Sequence, residues 1–279
     1  MKRNILVPID FSFDSINALE HAISIANKIG ANIRMINVRK SHDIEIPDYF
    51  KDFNFVFGKS IEGYFDILVQ KYKKKVKGEF DYKIREGRVY KEITNQAKYE
   101  DSYMIIMGTH GISGFEEYWI GSNAYKVVSD APCPVLTIRK GFPCKPITKI
   151  VAPIDISKES RLKISYVADF AALFNAEVHV VTVRETNARD ILERLKSYAA
   201  QSCEYIAQKK IKCVLKDLHG ENITNISIDY AKEIGAQMIA VMTEQSENTS
   251  NLWLGAYAQQ MVNHSPIPVL SLRAEVLEK

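Results

Sequence analysis

The sequence repeats itself across its two halves, and this duplication constrains the fold more than any other feature. The segment NILVPIDFS at 4–12 returns as KIVAPIDIS at 149–157, and PCPVLTIRK at 132–140 returns as PIPVLSLRA at 266–274. Matching segments at both ends of a long unit indicate a duplicated domain, because solenoid repeats have much shorter periods.

The two copies differ in length and are joined by a short connection. The offset between them is 145 residues at their starts and 134 at their ends, so the first copy carries 11 additional residues, between Arg39 and Glu86. The connection GFPCKP at 141–146 has the Gly and Pro content of an irregular linker. We therefore predict one domain at 1–140 and a second at 147–279.

Each copy alternates predicted strands and helices. After the apolar strand NILVPID, the first helical pattern has an apolar stripe of Ile16, Leu19, Ile23, Ala26 and Ile29. The corresponding stripe in the second copy is Ile164, Val167, Ala171 and Phe174. Strands separated by helices require right-handed crossovers and parallel pairing. We predict an α/β fold with two tandem, doubly wound domains, each with a mostly parallel sheet of five strands.

Composition excludes several classes of function. Hydrophobic residues make up 46% and charged residues 25% of the chain, as in globular proteins. A net charge of +3 provides no basic face for nucleic acid. No segment has the apolar length of a membrane span, and Asp10 comes too early for a secretory signal. We expect a cytoplasmic protein with neither a nucleic-acid nor a membrane partner.

The cysteines are predicted to be reduced thiols. Cys133, Cys144, Cys203 and Cys213 form no C-x-x-C pair, and no histidine cluster accompanies them. The sequence therefore predicts neither a metal site nor a disulfide framework.

A glycine-rich stretch follows the predicted fourth strand. In doubly wound sheets, ligands bind beyond the carboxyl ends of the strands, where the strand order reverses. If the first and fourth strands are neighbours there, Asp10 can accept a hydrogen bond from a ribose hydroxyl or a base edge. Gly108 and Gly111 would let backbone N–H groups approach a phosphate. Gly121 and Ser122 open the next helix, whose first N–H groups favour an anion.

The chain resembles the ATP-binding universal stress proteins. The spacing Gly108, two residues, Gly111, nine residues, Gly121-Ser122 is typical of that family, as are ILVPIDFS at the start and PCPVLTIRK at the end. No Walker A tripeptide occurs, and a Rossmann glycine motif would follow the first strand instead of the fourth. The resemblance covers nearly the whole chain as two copies.

The resemblance implies an adenine nucleotide alpha-hydrolase-like fold, bound ATP, and a role in stress survival that often works through nucleotide-dependent association. Mg²⁺ is a plausible companion of the triphosphate, although no carboxylate cage is visible. By the same resemblance, the adenosine would be lined by Pro8, Asp10 and Val38. The phosphates would be held by Gly108, Gly111, Gly121, Ser122 and Asn123.

Simpler interpretations of the same residues stay open. The glycine stretch could be only a flexible loop, and Asp10 could only cap the first helix. His110 has no partner at a known catalytic spacing, and Ser122 has no evident activating base, so we predict no catalytic residue and no metal ligand. We expect a regulatory protein with little turnover. The alternatives are a slow ATPase or adenylating enzyme, and a nucleotide-free interaction scaffold.

The second copy departs from the pattern at its phosphate end. Met242, Gln245 and Ala256 stand where the first copy has two glycines and the serine, and only Gly255 survives. The adenosine-side positions persist as Pro153, Asp155 and Val183, for which capping and core packing are the simpler explanation. We therefore predict one ATP per chain.

The last strand of each copy is predicted to pair with the other. Single-copy relatives commonly dimerise through this strand, so PVLTIR at 134–139 and PVLSLR at 268–273 should pair antiparallel as a pseudo-dimer. Pairing would cover two apolar edge strands. A homodimer of the whole chain is a further expectation.

Overall fold

The chain divides into two compact units, Met1–Cys144 and Lys145–Lys279. The structure is a computed structural model that describes residues 3–39, 60–109, 121–184, 188–243 and 255–277. Gly111, His110 and Gln245 of the predicted loops lie outside the described residues.

The first unit has the predicted alternation of strands and helices. Its elements are β1 (Asn4–Pro8), α1 (Phe13–Ile29), β2 (Asn32–Arg39), α2 (Ile61–Tyr72), β3 (Phe80–Glu86), α3 (Val89–Tyr99), β4 (Met104–Gly108), α4 (Ser122–Asp130) and β5 (Val135–Ile138). The strand order is β3-β2-β1-β4-β5, and each of these pairs is parallel. The order reverses between β1 and β4, which are neighbours.

The second unit repeats this topology. Its elements are β6 (Lys149–Ile154), α5 (Lys158–Phe174), β7 (Glu177–Arg184), α6 (Arg189–Gln208), β8 (Cys213–His219), α7 (Ile223–Glu233), β9 (Met238–Met242), α8 (Ala256–His264), β10 (Val269–Leu272) and α9 (Ala274–Leu277). The order β8-β7-β6-β9-β10 is again parallel throughout. The predicted doubly wound α/β class is confirmed.

Local signals account for the first helix. The Ser12 side chain accepts a hydrogen bond from the Ser15 N–H, and Gly30 ends α1 in the left-handed region at φ 68°. The predicted stripe is buried as far as Ala26, and Ile29 is half-buried. None of the described helices is long and apolar enough to cross a membrane.

Helix α2 is shorter than the sequence suggested. The sequence predicts a helix over roughly residues 58–77, whereas the α-helix covers Ile61–Tyr72 and continues only as a 3₁₀ turn at Lys73–Lys75. Tyr72 is the last buried side chain of α2, and the lysines that follow are exposed. The α-helix therefore ends where its packing against the sheet ends.

The prediction of four reduced thiols is wrong for one pair. Cys203 and Cys213 form a disulfide, with 5.4 Å between their Cα atoms. The chain turns back after α6 and places Cys213, the first residue of β8, beside the helix that carries Cys203. This proximity comes from the tertiary turn, so no local cysteine motif reveals it. Of the free cysteines, Cys133 is buried and Cys144 is exposed.

Candidate functional site

An open cleft lies in the first unit at the carboxyl ends of β1 and β4. Its volume is about 400 Å³, within the range of about 300–1,000 Å³ found for small-ligand sites. The predicted residues that line it are Pro8, Asp10, Val38, Gly108, Gly121, Ser122 and Asn123. The structure thus brings together every predicted site residue that it describes.

Asp10 is held by the turn between β1 and α1. Its Oδ1 accepts hydrogen bonds from the Ser12 N–H at 3.1 Å and from the Ser12 hydroxyl at 2.6 Å. Phe11 between them adopts a left-handed φ of 63° and is buried, a costly conformation for a bulky residue that tends to occur at functional turns. Ser12 is the N-cap of α1, and Asp10 holds Ser12 in place by accepting its hydrogen bonds. The interpretation of Asp10 as the cap is therefore wrong.

Gly108 is required by packing inside the protein. A Cβ at this position would lie 2.9 Å from the Asp14 Cβ and 3.0 Å and 3.1 Å from the Asp14 carbonyl carbon and oxygen. The end of β4 and the first turn of α1 therefore approach too closely for any side chain between them. Packing against Asp14 therefore explains the glycine at position 108 without any need for a ligand. The backbone of Gly108 still lines the cleft.

The start of α4 forms the opposite side of the cleft. Gly121 is the N-cap residue, and no side chain caps the helix. The Gly121 N–H donates to the carbonyl oxygen of Thr109 at 2.8 Å, which ties the helix start to the end of β4. Ser122 is exposed and Asn123 half-buried at the first turn. The first N–H groups of α4 thus have no side-chain acceptor from a cap, as at helix N-termini that bind anions.

Several wall residues were not predicted from the sequence. Val89 and Ile93 of α3 line the cleft with apolar surface. Asn37 at the end of β2 also lines it, and its Nδ2 donates to the Ile9 carbonyl oxygen at 2.7 Å. One sequence signal pointed to this wall, the amphipathic start of α3. It follows β3 directly and therefore lies at the same edge of the sheet as the carboxyl ends of β1 and β4.

The charge of the cleft comes from one side chain. Among the described lining residues, Asp10 is the only ionisable group, and no lysine or arginine lines the cleft. The described residues also contain no cluster of three or more His, Cys, Asp or Glu side chains suited to a metal ion. A phosphate here would therefore rely on backbone N–H groups, hydroxyls and the α4 dipole.

The corresponding place in the second unit is nearly filled. The cavity there has a volume of about 50 Å³ and is lined by Pro153, Asp155 and Val183, as at the adenosine end of the first unit. Met242 and Tyr257 occupy the positions that match Gly108 and Asn123, and they also line this cavity. These larger side chains close the space that is open in the first unit.

Asp155 of the second cavity interacts with serines of the following turn and with Lys163. Asp155 Oδ1 accepts from the Ser157 N–H at 2.7 Å. Asp155 is exposed, and partial desolvation of its carboxylate would by itself raise its pKa, but hydrogen bonds from Ser157 and Ser160 and the charge of Lys163 together lower the pKa. Burial lowers the pKa of Lys163 to about 8, and Asp155 partly opposes this shift.

Both halves of the sequence match one protein family. The model of the Universal stress protein family matches residues 1–139 and again residues 146–273. A universal stress protein of Methanocaldococcus jannaschii is 30% identical over 152 residues, which are 50% of this chain and 82% of that protein. One from Bacillus subtilis is 29% identical over 150 residues, 50% of this chain and 100% of that protein.

Solved structures show the same fold over the whole chain. A putative universal stress protein from Pseudomonas aeruginosa has a TM-score of 0.69 at 17% identity, covering 99% of this chain and 95% of that one. A universal stress protein from Archaeoglobus fulgidus has a TM-score of 0.69 at 19% identity, covering 97% and 98%.

Proposed function

Because this chain belongs to the universal stress protein family, we propose that its first unit binds an adenine nucleotide, with ATP as the expected ligand, and acts as a regulatory protein with little turnover. The observation that carries the proposal is the contrast between matching sites. The cleft of the first unit has about 400 Å³, whereas its counterpart in the second has about 50 Å³. The larger volume suits an adenine nucleotide, so we propose one nucleotide per chain, bound in the first unit.

The adenosine is assigned to the β1–β2 side of the cleft. The apolar side chains Val38, Val89 and Ile93 offer surface for a purine ring. Asp10 is half-buried and oriented by Ser12, so its carboxylate can accept a hydrogen bond from a ribose hydroxyl. Pro8 at the end of β1 completes this wall.

The phosphates are assigned to the α4 side of the cleft. The N-terminus of α4 presents its first N–H groups and the Ser122 hydroxyl, and an anion there gains roughly 0.3–2 kcal/mol from the helix dipole. With no lysine or arginine among the described lining residues, Mg²⁺ carried by the triphosphate would supply the missing positive charge. We propose Gly111 as part of the same phosphate loop.

Regulation is favoured over catalysis by the chemistry of the cleft. Phosphoryl transfer needs positive groups on the transferring phosphate and a residue that positions the nucleophile. The described walls offer only the Asp10 carboxylate, which already accepts two hydrogen bonds from Ser12. A slow ATPase or adenylating enzyme is therefore the second candidate and a nucleotide-free scaffold the third.

Extraction of the purified protein tests the three candidates. Acid extraction followed by chromatography should release ATP. ADP as the sole nucleotide would favour the enzyme, and no retained nucleotide, together with no ATP binding by calorimetry, would favour the scaffold. Titration of stripped protein should give one ATP site per chain, and two equivalent sites would contradict the assignment.

A pair of matched variants tests the site itself. Gly121→Val places a branched side chain at the α4 N-cap and should weaken ATP binding at least tenfold. Gly255→Val is the control, since Gly255 is the N-cap of α8 with nearly the same backbone angles, φ −55° and ψ 145° against −56° and 142°. Equal ATP affinity of Gly121→Val and wild type would show that the phosphates lie elsewhere.

The assembly and location of the chain belong to the same proposal. We propose nucleotide binding by the domain at 1–140 and a mainly structural role for the domain at 147–279. Antiparallel pairing of the final strands of the two domains, a homodimer and a cytoplasmic location stay predictions. Sedimentation of the full chain with and without ATP would measure whether association depends on the nucleotide.

A further inference from the structure

The small cavity of the second unit contains a buried charged side chain, although packing alone does not require a charge there. The cavity lies at the carboxyl ends of β6 and β9, and its 50 Å³ is room for about four water-sized groups. Lys163 of α5 lines it and is 2% exposed. The matching residue of the first unit is Ala18. An apolar side chain would therefore have sufficed for packing at this position.

The Lys163 ammonium is only partly satisfied by the protein. Within the described chain, its Nζ makes one hydrogen bond, to the Ser160 carbonyl oxygen at 2.6 Å. An ammonium carries three N–H donors, and a buried donor without an acceptor is costly. Asp155 lines the same cavity and attracts the charge, but its carboxylate makes no hydrogen bond to Lys163.

Tyr257 adds a buried hydroxyl. Among the described residues it makes no hydrogen bond within the usual distance and angle limits. Burial raises the pKa of Tyr257, and the nearby Ser227 hydroxyl partly opposes this shift. Tyr257 lies in the first turn of α8, whose N-cap residue Gly255 provides no side-chain cap. The cavity therefore combines an ammonium, a hydroxyl donor and the positive end of a helix dipole.

We propose that this cavity binds a small trigonal oxyanion, a carboxylate or bicarbonate, with the Lys163 ammonium and the Tyr257 hydroxyl as donors. The volume limits the ligand to about four non-hydrogen atoms. Asp155 is already the counter-charge of Lys163 and repels any added anion, so the cavity tolerates a monoanion better than a phosphate dianion. The two units would then bind different anions, an adenine nucleotide in the first and a small oxyanion in the second.

Lysine side-chain NMR of the full chain tests this proposal. With [¹³Cε]lysine, formate, acetate and bicarbonate are titrated separately at constant ionic strength, set with gluconate because its chain is too large for the cavity. The Lys163 resonance should move in a saturable way with at least one of them. The ligand-efficiency ceiling for four atoms allows a dissociation constant no lower than about 0.04 mM, and we expect one of about 0.1–10 mM. The anion with the lowest dissociation constant is the preferred ligand among the three.

Three variants separate a binding site from a packing device. Lys163→Met keeps an unbranched side chain and should abolish binding, measured by backbone amide shifts in β6 and α5. Lys158→Met, an exposed lysine of the same helix, should bind as wild type does. Tyr257→Phe removes only the hydroxyl and should weaken binding several-fold, which keeps the proposal testable if Lys163→Met does not fold.

The contrary results are equally definite. No saturable shift of Lys163 with any of the three anions up to about 50 mM, five times the weakest expected dissociation constant, would overturn the proposal. Unchanged affinity in Tyr257→Phe or retained binding in Lys163→Met would do the same. ATP binding to the first unit is measured by different resonances, so either proposal can fail without the other.

Discussion

Gly108→Ala separates a packing role of this glycine from a role in phosphate binding. The new methyl group would lie 2.9 Å from the Asp14 Cβ and 3.0–3.1 Å from the Asp14 carbonyl group. Backbone atoms cannot rotate away, so α1 must shift from β4 by several tenths of an ångström. Overpacking of this kind costs about 1–3 kcal/mol. Alanine also lowers the conformational entropy of the unfolded chain, which stabilises the folded state by about 0.4–1 kcal/mol. The free energy of unfolding should therefore fall by about 1–2 kcal/mol.

Hydrogen exchange, measured for the backbone amides of each strand, is the suitable assay. It reports on each unit separately, which matters because two compact units need not unfold in one step. Amides of β1 and β4 should lose protection by about 1–2 kcal/mol of opening free energy, while those of β6 and β9 serve as the control in the same molecule. For a unit of this size the melting temperature should fall by roughly 3–8 °C.

ATP affinity of the same variant supplies the second measurement. If packing explains the glycine, Gly108→Ala should be less stable and bind ATP within about tenfold of wild type, or 1.4 kcal/mol. A variant as stable as wild type that binds ATP far more weakly would refute the packing argument and assign the glycine to the ligand.

Three further changes have defined outcomes. Ser12→Ala removes the α1 cap and the hydroxyl that donates to Asp10, so the free energy of unfolding should fall by about 1 kcal/mol and calorimetry should show weaker ATP binding; unchanged affinity would show that the Ser12 hydroxyl does not position Asp10 for the ligand. Reduction of the Cys203–Cys213 disulfide, with its sequence separation of 10, should destabilise the second unit by about 2–3 kcal/mol, and unchanged exchange rates in β8 under reductant would contradict this. Burial lowers the pKa of Lys163 from 10.5 to about 8, so above pH 8 the unfolded chain holds more protons than the folded chain. The free energy of unfolding should therefore rise by roughly 1–2 kcal/mol between about pH 8 and pH 9.5. Chemical denaturation should show this rise in wild type, and an equal rise in Lys163→Met would refute it.

The sequence by itself determined the architecture and the location of the candidate site. Apolar strands alternating with amphipathic helices specify a doubly wound sheet, because each element must bury one face against the other layer. The carboxyl ends of parallel strands share one edge, so the turn at Asp10 and the glycine stretch could be placed together before their coordinates were known. The duplication, visible as repeated segments, gave the second unit the same topology.

Only the tertiary structure decided what individual residues do within that frame. The contact of Gly108 with Asp14, the joining of Cys203 to Cys213 and the entry of Lys163 into the second cavity each depend on how a helix lies against a strand. Sequence patterns report which face of an element is buried, and they carry no distance between elements. Whether a position requires glycine depends on a few tenths of an ångström in the distance between packed elements. These roles therefore become visible only in the tertiary structure.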